Sequence, residues 1–170
     1  MMVAEELKKV VRGEVASDEK SLFAYSHDAS IFEVKPEAVV APLDTKDVEA
    51  LVRYATESKG KVTLTGRAAG TDMSGGPLTE SVVVDFMKHM NRLISVTPQK
   101  DGKGALIGGS AVVEPGMFYR DFEKETLKQG LLMPSYPASR DLCAMGGIVS
   151  NNSGGEKTLA FGKTEDYVSR

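Results

Sequence analysis

Residues 65–76 read Thr65-Gly66-Arg67-Ala68-Ala69-Gly70-Thr71-Asp72-Met73-Ser74-Gly75-Gly76 and lie between two short apolar runs, Lys61–Thr65 and Ser81–Asp85. No other stretch limits the fold so strictly. Glycine admits positive φ and lets a backbone approach a ligand with no Cβ in the way. Consecutive N–H groups in such a loop form a concave nest for an anion. A diphosphate, with about two negative charges and many acceptor oxygens, suits that nest. A tight, solvent-exposed connection is the other reading of the same residues.

Two commoner phosphate motifs do not fit. Gly70 and Gly75 have Walker A spacing, but Gly76-Pro77 stands where Lys-Ser/Thr is required. Gly102-Lys103-Gly104 lacks the third glycine of a dinucleotide fingerprint, since position 107 is Ile. An ATPase and a nicotinamide-type Rossmann domain are therefore disfavoured.

The flanks predict a small parallel lobe. Ala38–Ala41 is a strand closed by Pro42, and Asp44 or Thr45 caps a helix carrying Val48, Leu51, Val52 and Ala55 at i, i+3, i+4 and i+7. Gly60 stops that helix. The Val82-Val83-Val84 run predicts a strand buried on both faces. Before this lobe, Val3–Val11 predicts a short helix and residues 13–36 an irregular leader. After it, Leu93–Thr97 and Ala105–Ile107 flank Asp101-Gly102, a hairpin signal. Ser110–Val113 predicts a further strand, and Met117–Lys128 a helix with Phe118 and Phe122 on one side. The lobe boundary falls near residues 88–93. Asp166-Tyr167-Val168 looks like the start of a strand, so an element is expected to be cut off at Arg170.

A second glycine-rich block runs from Pro134 to Gly155. Its Gly146-Gly147 and Gly154-Gly155 pairs bracket Ile148-Val149-Ser150-Asn151-Asn152-Ser153. Bare backbone suits a flat ligand, and Asn151, Asn152 and Ser153 offer donors and acceptors to ring edges. A turn-rich surface meander is the alternative.

Composition narrows the classes further. With 170 residues, 21 Lys plus Arg against 24 Asp plus Glu gives a formal charge of -3, without the basic field of a nucleic-acid binder. One cysteine, Cys143, allows no internal disulfide and suits a reducing compartment, and with only His27 and His89 no Cys/His zinc site can be assembled. No stretch approaches a membrane span and no signal peptide is visible, so the expected location is the cytoplasm, with peripheral membrane association compatible. His27 reads as a solvated or capping residue, and Cys143 as a small buried apolar one. Arg67 either offsets a phosphate charge or points to solvent.

Taken in order, these blocks resemble the FAD-linked oxidase family, whose FAD-binding domain is of the vanillyl-alcohol oxidase or PCMH type. Tyr25–Ser30 resembles its leader, and Ala38–Pro42 with the next helix its first strand and helix. Thr65–Gly76 resembles its pyrophosphate loop, and Val84-Asp85-Phe86 with Met90-Asn91-Arg92-Leu93 its strand and Met-Asn-Arg-Ile step. Val113–Gly116 resembles its Val-x-Pro-Gly. Pro137-Ala138-Ser139, Gly146-Gly147, Asn152, Gly154-Gly155 and Phe161-Gly162 resemble later elements. The likeness spans about residues 22–168 and is nearest to the D-lactate dehydrogenase and glycolate oxidase type.

The resemblance implies an α+β fold of the PCMH type, truncated at its C-terminus. A leader (1–36) precedes a small parallel βαββ lobe (37–90) and a mixed or antiparallel β lobe with flanking helices (91–170). It implies that Gly66, Arg67, Ala68, Ala69, Gly70, Thr71, Asp72, Gly75 and Gly76 hold the FAD pyrophosphate, mainly through main-chain N–H groups. It implies that Pro137, Ser139, Gly146, Gly147, Asn152 and Gly154 line the flavin end. No histidine occupies residues 66–76, so FAD is expected to be non-covalent. Ala68 and Ala69 stand around usual glycine positions, and Ala144 where the family often has Thr. The implied function is the FAD-binding portion of an oxidoreductase for a D-2-hydroxy acid, and no residue here is named as catalytic. The alternatives are a non-catalytic fragment or subunit whose flavin site a partner chain completes, and a binding module for another nucleotide.

Overall fold

The computed structural model describes residues 2–169. They form two compact units, Met1–Met90 and Asn91–Arg170.

The first unit is built on a four-stranded sheet. Helix α1 (Met2–Val10), strand β1 (Glu14–Ala16) and helix α2 (Glu19–Ala24) precede strand β2 (Ala38–Ala41). Helix α3 (Thr45–Glu57), strand β3 (Leu64–Arg67) and strand β4 (Val82–Asp85) follow. The strand order is β1-β2-β4-β3, with β2, β4 and β3 parallel and β1 antiparallel at the edge.

Every residue of β2 and β4 is buried because both sheet faces are covered. Ala38, Val40, Val82 and Val84 pack with Ala4, Leu7 and Val11 of the α1 region and Leu51 of α3. Val39 and Val83 point the other way, onto Leu22 of α2 and Tyr25. Residues 13–36 are thus not wholly irregular. They contribute an edge strand and a helix, capped by Asp18 through Ser21 N–H (3.0 Å), that closes the second face of the sheet. A three-residue strand and a six-residue helix are too short to leave a periodic signal.

Asp44 is the N-cap of α3, accepting from Lys46 N (2.9 Å). Its buried face differs from the expected stripe. Leu51 is buried, but Val52 is 54% exposed, and Asp47 takes the inner position. The Asp47 carboxylate accepts from Gly13 N (2.9 Å), Leu43 N (3.0 Å), Arg12 N (3.1 Å) and Arg12 Nε (3.1 Å). It joins the end of α1 to the start of α3.

The second unit opens with an antiparallel hairpin, β5 (Leu93–Lys100) and β6 (Leu106–Val113). The two strands expected at 105–107 and 110–113 are one. At the tip Asp101 Oδ1 accepts from Lys103 N and Ala105 N (both 2.8 Å), and the positive φ falls at Gly104 (+86°) rather than Gly102. Helix α4 (Tyr119–Leu127) buries Tyr119 and Phe122, and Phe118 serves as its N-cap. Helices α5 (Met145–Ser150) and α6 (Thr158–Phe161) follow. Residues Thr164–Tyr167 form a 3-10 turn where a strand was expected. Among the described residues no helix is long and apolar enough to cross a membrane.

Candidate functional site

The glycine-rich loop leaves the sheet where β3 ends. Arg67 is paired with Asp85, and Phe86 N donates to Arg67 O (3.0 Å). Gly70 (φ +68°) and Gly75 (φ +84°) are in the left-handed region. Between them the loop divides into two halves of different character. Among the described residues no acceptor takes the main-chain N–H groups of Ala68, Ala69, Gly70 and Thr71. The second half is closed on itself: Asp72 Oδ2 accepts from Ser74 Oγ (2.7 Å), Gly76 N (2.8 Å) and Ser74 N (3.2 Å). The expected nest is therefore narrower than residues 66–76. Gly76 spends its donor on Asp72, whose carboxylate organises the turn.

Arg67 does not point to solvent: its guanidinium lies beside Gly70 and is held by the segment at residues 25–27. Its Nη2 donates to His27 O (2.6 Å), its Nη1 to Tyr25 O (3.3 Å), and its guanidinium carbon lies 5.3 Å from the Tyr25 ring centre. Burial pushes its pKa down. A Cβ on Gly70 would stand 2.6 Å from Arg67 Nη2. Tyr25 donates its hydroxyl to Asp85 Oδ2 (2.7 Å), and burial, with that carboxylate, raises the phenol pKa. Ala29 N donates to Asp72 O (3.1 Å), and a Cβ on Gly75 would lie 3.1 Å from Phe32 Cδ2. Residues 25–32 thus belong beside the loop, a placement sequence reasoning missed. The available signal was the run Asp28-Ala29-Ser30, where Ser30 N bonds Asp28 Oδ1 (2.8 Å) in an Asx turn. His27, read from the sequence as solvated or capping, is partly exposed and forms an isolated antiparallel bridge with Glu33, with Nδ1 2.8 Å from Ser26 Oγ and Nε2 3.4 Å from Glu33.

In the second unit the glycine-rich block is more structured than a bare loop. Gly146 and Gly147 lie inside α5, because Met145 and Ile148 are buried with Tyr119, Phe122 and Tyr136. Gly146 N donates to Pro115 O (2.8 Å), and a Cβ there would come 2.8 Å from Pro115 Cβ. Ala144 is the N-cap and makes no side-chain hydrogen bond. The Pro137–Cys143 turn holds itself: Arg140 N bonds Pro137 O (3.0 Å), while Ser139 O accepts from Leu142 N and Cys143 N (2.8 and 2.9 Å). Burial raises the Cys143 thiol pKa, the expected state of an inert buried cysteine. Asn152 adopts φ +44°, and its Oδ1 accepts from Glu165 N (2.9 Å). Gly154 faces Thr158, where a Cβ would meet Oγ1 at 2.4 Å.

Gly155 faces main chain. A Cβ there would lie 2.3 Å from Tyr136 O and 3.3 Å from Pro137 Cα. Gly155→Ala is therefore expected to cost about 1–3 kcal/mol of stability through overpacking, read by urea unfolding. An unchanged midpoint would show that these segments part freely. At Gly146, Gly154 and Gly155 a Cβ would press on a neighbour within the unit, a packing requirement that the sequence reading of bare backbone does not include.

The run Ala68–Thr71 fits a diphosphate: its donors are unclaimed, and the chain is thinnest at Gly70. The family described as FAD binding domain matches residues 36–170. The glycolate oxidase subunit GlcD of Bacillus subtilis is 32% identical over 146 residues, 85% of this chain and 29% of that protein. A D-2-hydroxyglutarate dehydrogenase of Escherichia coli is 28% identical over 157 residues, 92% of this chain and 15% of that protein. Among solved structures, 6-hydroxy-D-nicotine oxidase from Arthrobacter nicotinovorans superposes with a TM-score of 0.69 at 23% identity, over 92% of this chain and 32% of the other. An alkyldihydroxyacetonephosphate synthase superposes with a TM-score of 0.73 at 22% identity, over 95% and 31%. The chain spans less than a third of each of these four proteins.

Proposed function

We propose, since this chain belongs to the FAD binding domain family, that its Ala68–Thr71 segment holds the diphosphate of FAD and that the protein it serves oxidises a D-2-hydroxy acid. The observation that carries the first part is the run of main-chain N–H groups left unclaimed beyond β3. The second part is supported by the relatives, which are named for D-2-hydroxyglutarate and glycolate. Bound flavin supplies the hydride chemistry. The chain's own residues bind and orient it. Ala68, Ala69, Gly70 and Thr71 donate to phosphate oxygens. Gly66, Arg67, Asp72, Gly75 and Gly76 shape the loop around them. Pro137, Ser139, Gly146, Gly147, Asn152 and Gly154 are proposed as contacts for the flavin end. No side chain of either unit is assigned as acid or base.

We further propose non-covalent attachment, since residues 66–76 hold neither histidine nor cysteine. Residues 37–90 and 91–170 are proposed as the two lobes of the domain, with 1–36 as its leader. A cytoplasmic location is supported by the single, buried cysteine.

The test is the visible spectrum of the purified chain before and after adding FAD. A bound-flavin spectrum, released on denaturation, is expected. A folded protein that takes up no flavin would favour the second reading, a subunit whose site a partner chain completes.

A further inference from the structure

We infer that Tyr25–Phe32 is a clamp on the diphosphate loop, with Arg67 and Phe32 as its positioning residues. The clamp lies outside residues 36–170, the segment the family match covers. It nevertheless engages both halves of the loop. At the start, Arg67 bridges His27 O (2.6 Å) and Tyr25 O (3.3 Å). In the second half, Ala29 N–H donates to Asp72 O (3.1 Å), and the Phe32 ring covers the face of Gly75. The far end is anchored to the sheet, because Tyr25 donates to Asp85 of β4 (2.7 Å).

The clamp is itself stiff. Asp28 Oδ1 accepts from Ser30 N (2.8 Å), Ser30 Oγ from Phe32 N (3.1 Å), and Ser26 O from Val34 N (2.9 Å). Among the described residues no carboxylate pairs with Arg67 within 4.0 Å, so its guanidinium serves as a two-pronged bracket between carbonyls. Asp28, one oxygen of which is buried without a donor, attracts it from a distance. A planar fork can hold two carbonyls at once in a way a lysine ammonium does not reproduce. A glycine-bearing loop left alone samples many conformations. Holding it in one before a ligand arrives removes that ordering cost from binding. The consequence for FAD affinity rests on the FAD-binding function proposed above; the mechanical role does not.

The experiment uses the whole chain with Phe32→Ala and, separately, Arg67→Lys. Phe32 is 52% exposed, so its truncation leaves the core intact. Hydrogen exchange is measured by NMR without ligand at Ala29, Ser74 and Gly76, whose N–H groups bond Asp72. Both variants are expected to exchange about tenfold faster at those amides, with Val83 of β4 unchanged. FAD should then bind about tenfold more weakly, and Phe32→Leu should restore both values. Unchanged exchange in both variants overturns the clamp, even if FAD affinity falls, since that would mark direct ligand contacts instead. A wild-type chain that takes up no FAD refutes only the FAD-binding function, because exchange still decides the clamp.

Discussion

Gly70→Val is expected to weaken flavin binding by about two orders of magnitude while the chain stays folded. Gly70 sits at φ +68°, where a β-branched residue is strained by about 1–3 kcal/mol. Its new Cβ would also stand 2.6 Å from Arg67 Nη2 and 2.9 Å from Cζ. The guanidinium is a flexible end and can give way, but only by leaving His27 O and Tyr25 O. Relief at position 70 therefore reorients the N–H groups of Ala69, Gly70 and Thr71. Losing two or more well-aimed donors to a charged oxygen raises the FAD Kd by about two orders of magnitude. Flavin fluorescence titration reads the affinity and far-UV circular dichroism the fold. Gly70→Ala should fall between wild type and Val. Wild-type affinity in Gly70→Val would place the diphosphate elsewhere.

Asp47→Ala acts on the fold instead. The Asp47 side chain is 3% exposed and satisfies three main-chain N–H groups besides Arg12 Nε. Truncation strands those donors at the junction of α1, β1 and α3. At about 1–3 kcal/mol per stranded donor, less where water enters the gap, the loss is about 3 kcal/mol or more. That is a large part of the about 5–15 kcal/mol a domain of this kind holds. Urea unfolding measures it, and a change below about 0.5 kcal/mol would show that the carboxylate is dispensable.

The same group makes stability depend on pH. Burial alone would raise the Asp47 pKa, but the N–H groups of Leu43, Arg12 and Gly13 and the Arg12 guanidinium outweigh it, and the net shift is downward. A depressed folded pKa gives stability that is present above the ordinary aspartate value of 3.8 and lost as pH falls through the lower folded value. The acid limb of a stability profile should therefore be flatter in Asp47→Asn than in wild type.

Much of the first unit was legible because local chemistry spells it out. Val82-Val83-Val84 has to be buried on both faces, and Asp44 can cap the next turn from its own side chain. Asp101 closes the β5–β6 hairpin through residues two and four positions on. The loop after β3 was legible for the same reason, but its inner division was not. That Asp72 claims Ser74 and Gly76 and leaves Ala68–Thr71 open depends on how the chain folds back, not on which residues are small.

By itself the sequence determined the β2–α3–β3–β4 order of the first unit, the place of the glycine-rich loop, and the family likeness carried by ordered short blocks. Tertiary structure alone decided which polar residues far apart in sequence meet. Arg12 and Asp47 are 35 residues apart and Tyr25 and Asp85 are 60 apart. Periodicity and capping express interactions within a few positions along the chain. A carboxylate satisfied by a distant N–H, or a glycine required by a distant carbonyl such as Tyr136 O, leaves no local trace until the chain has closed.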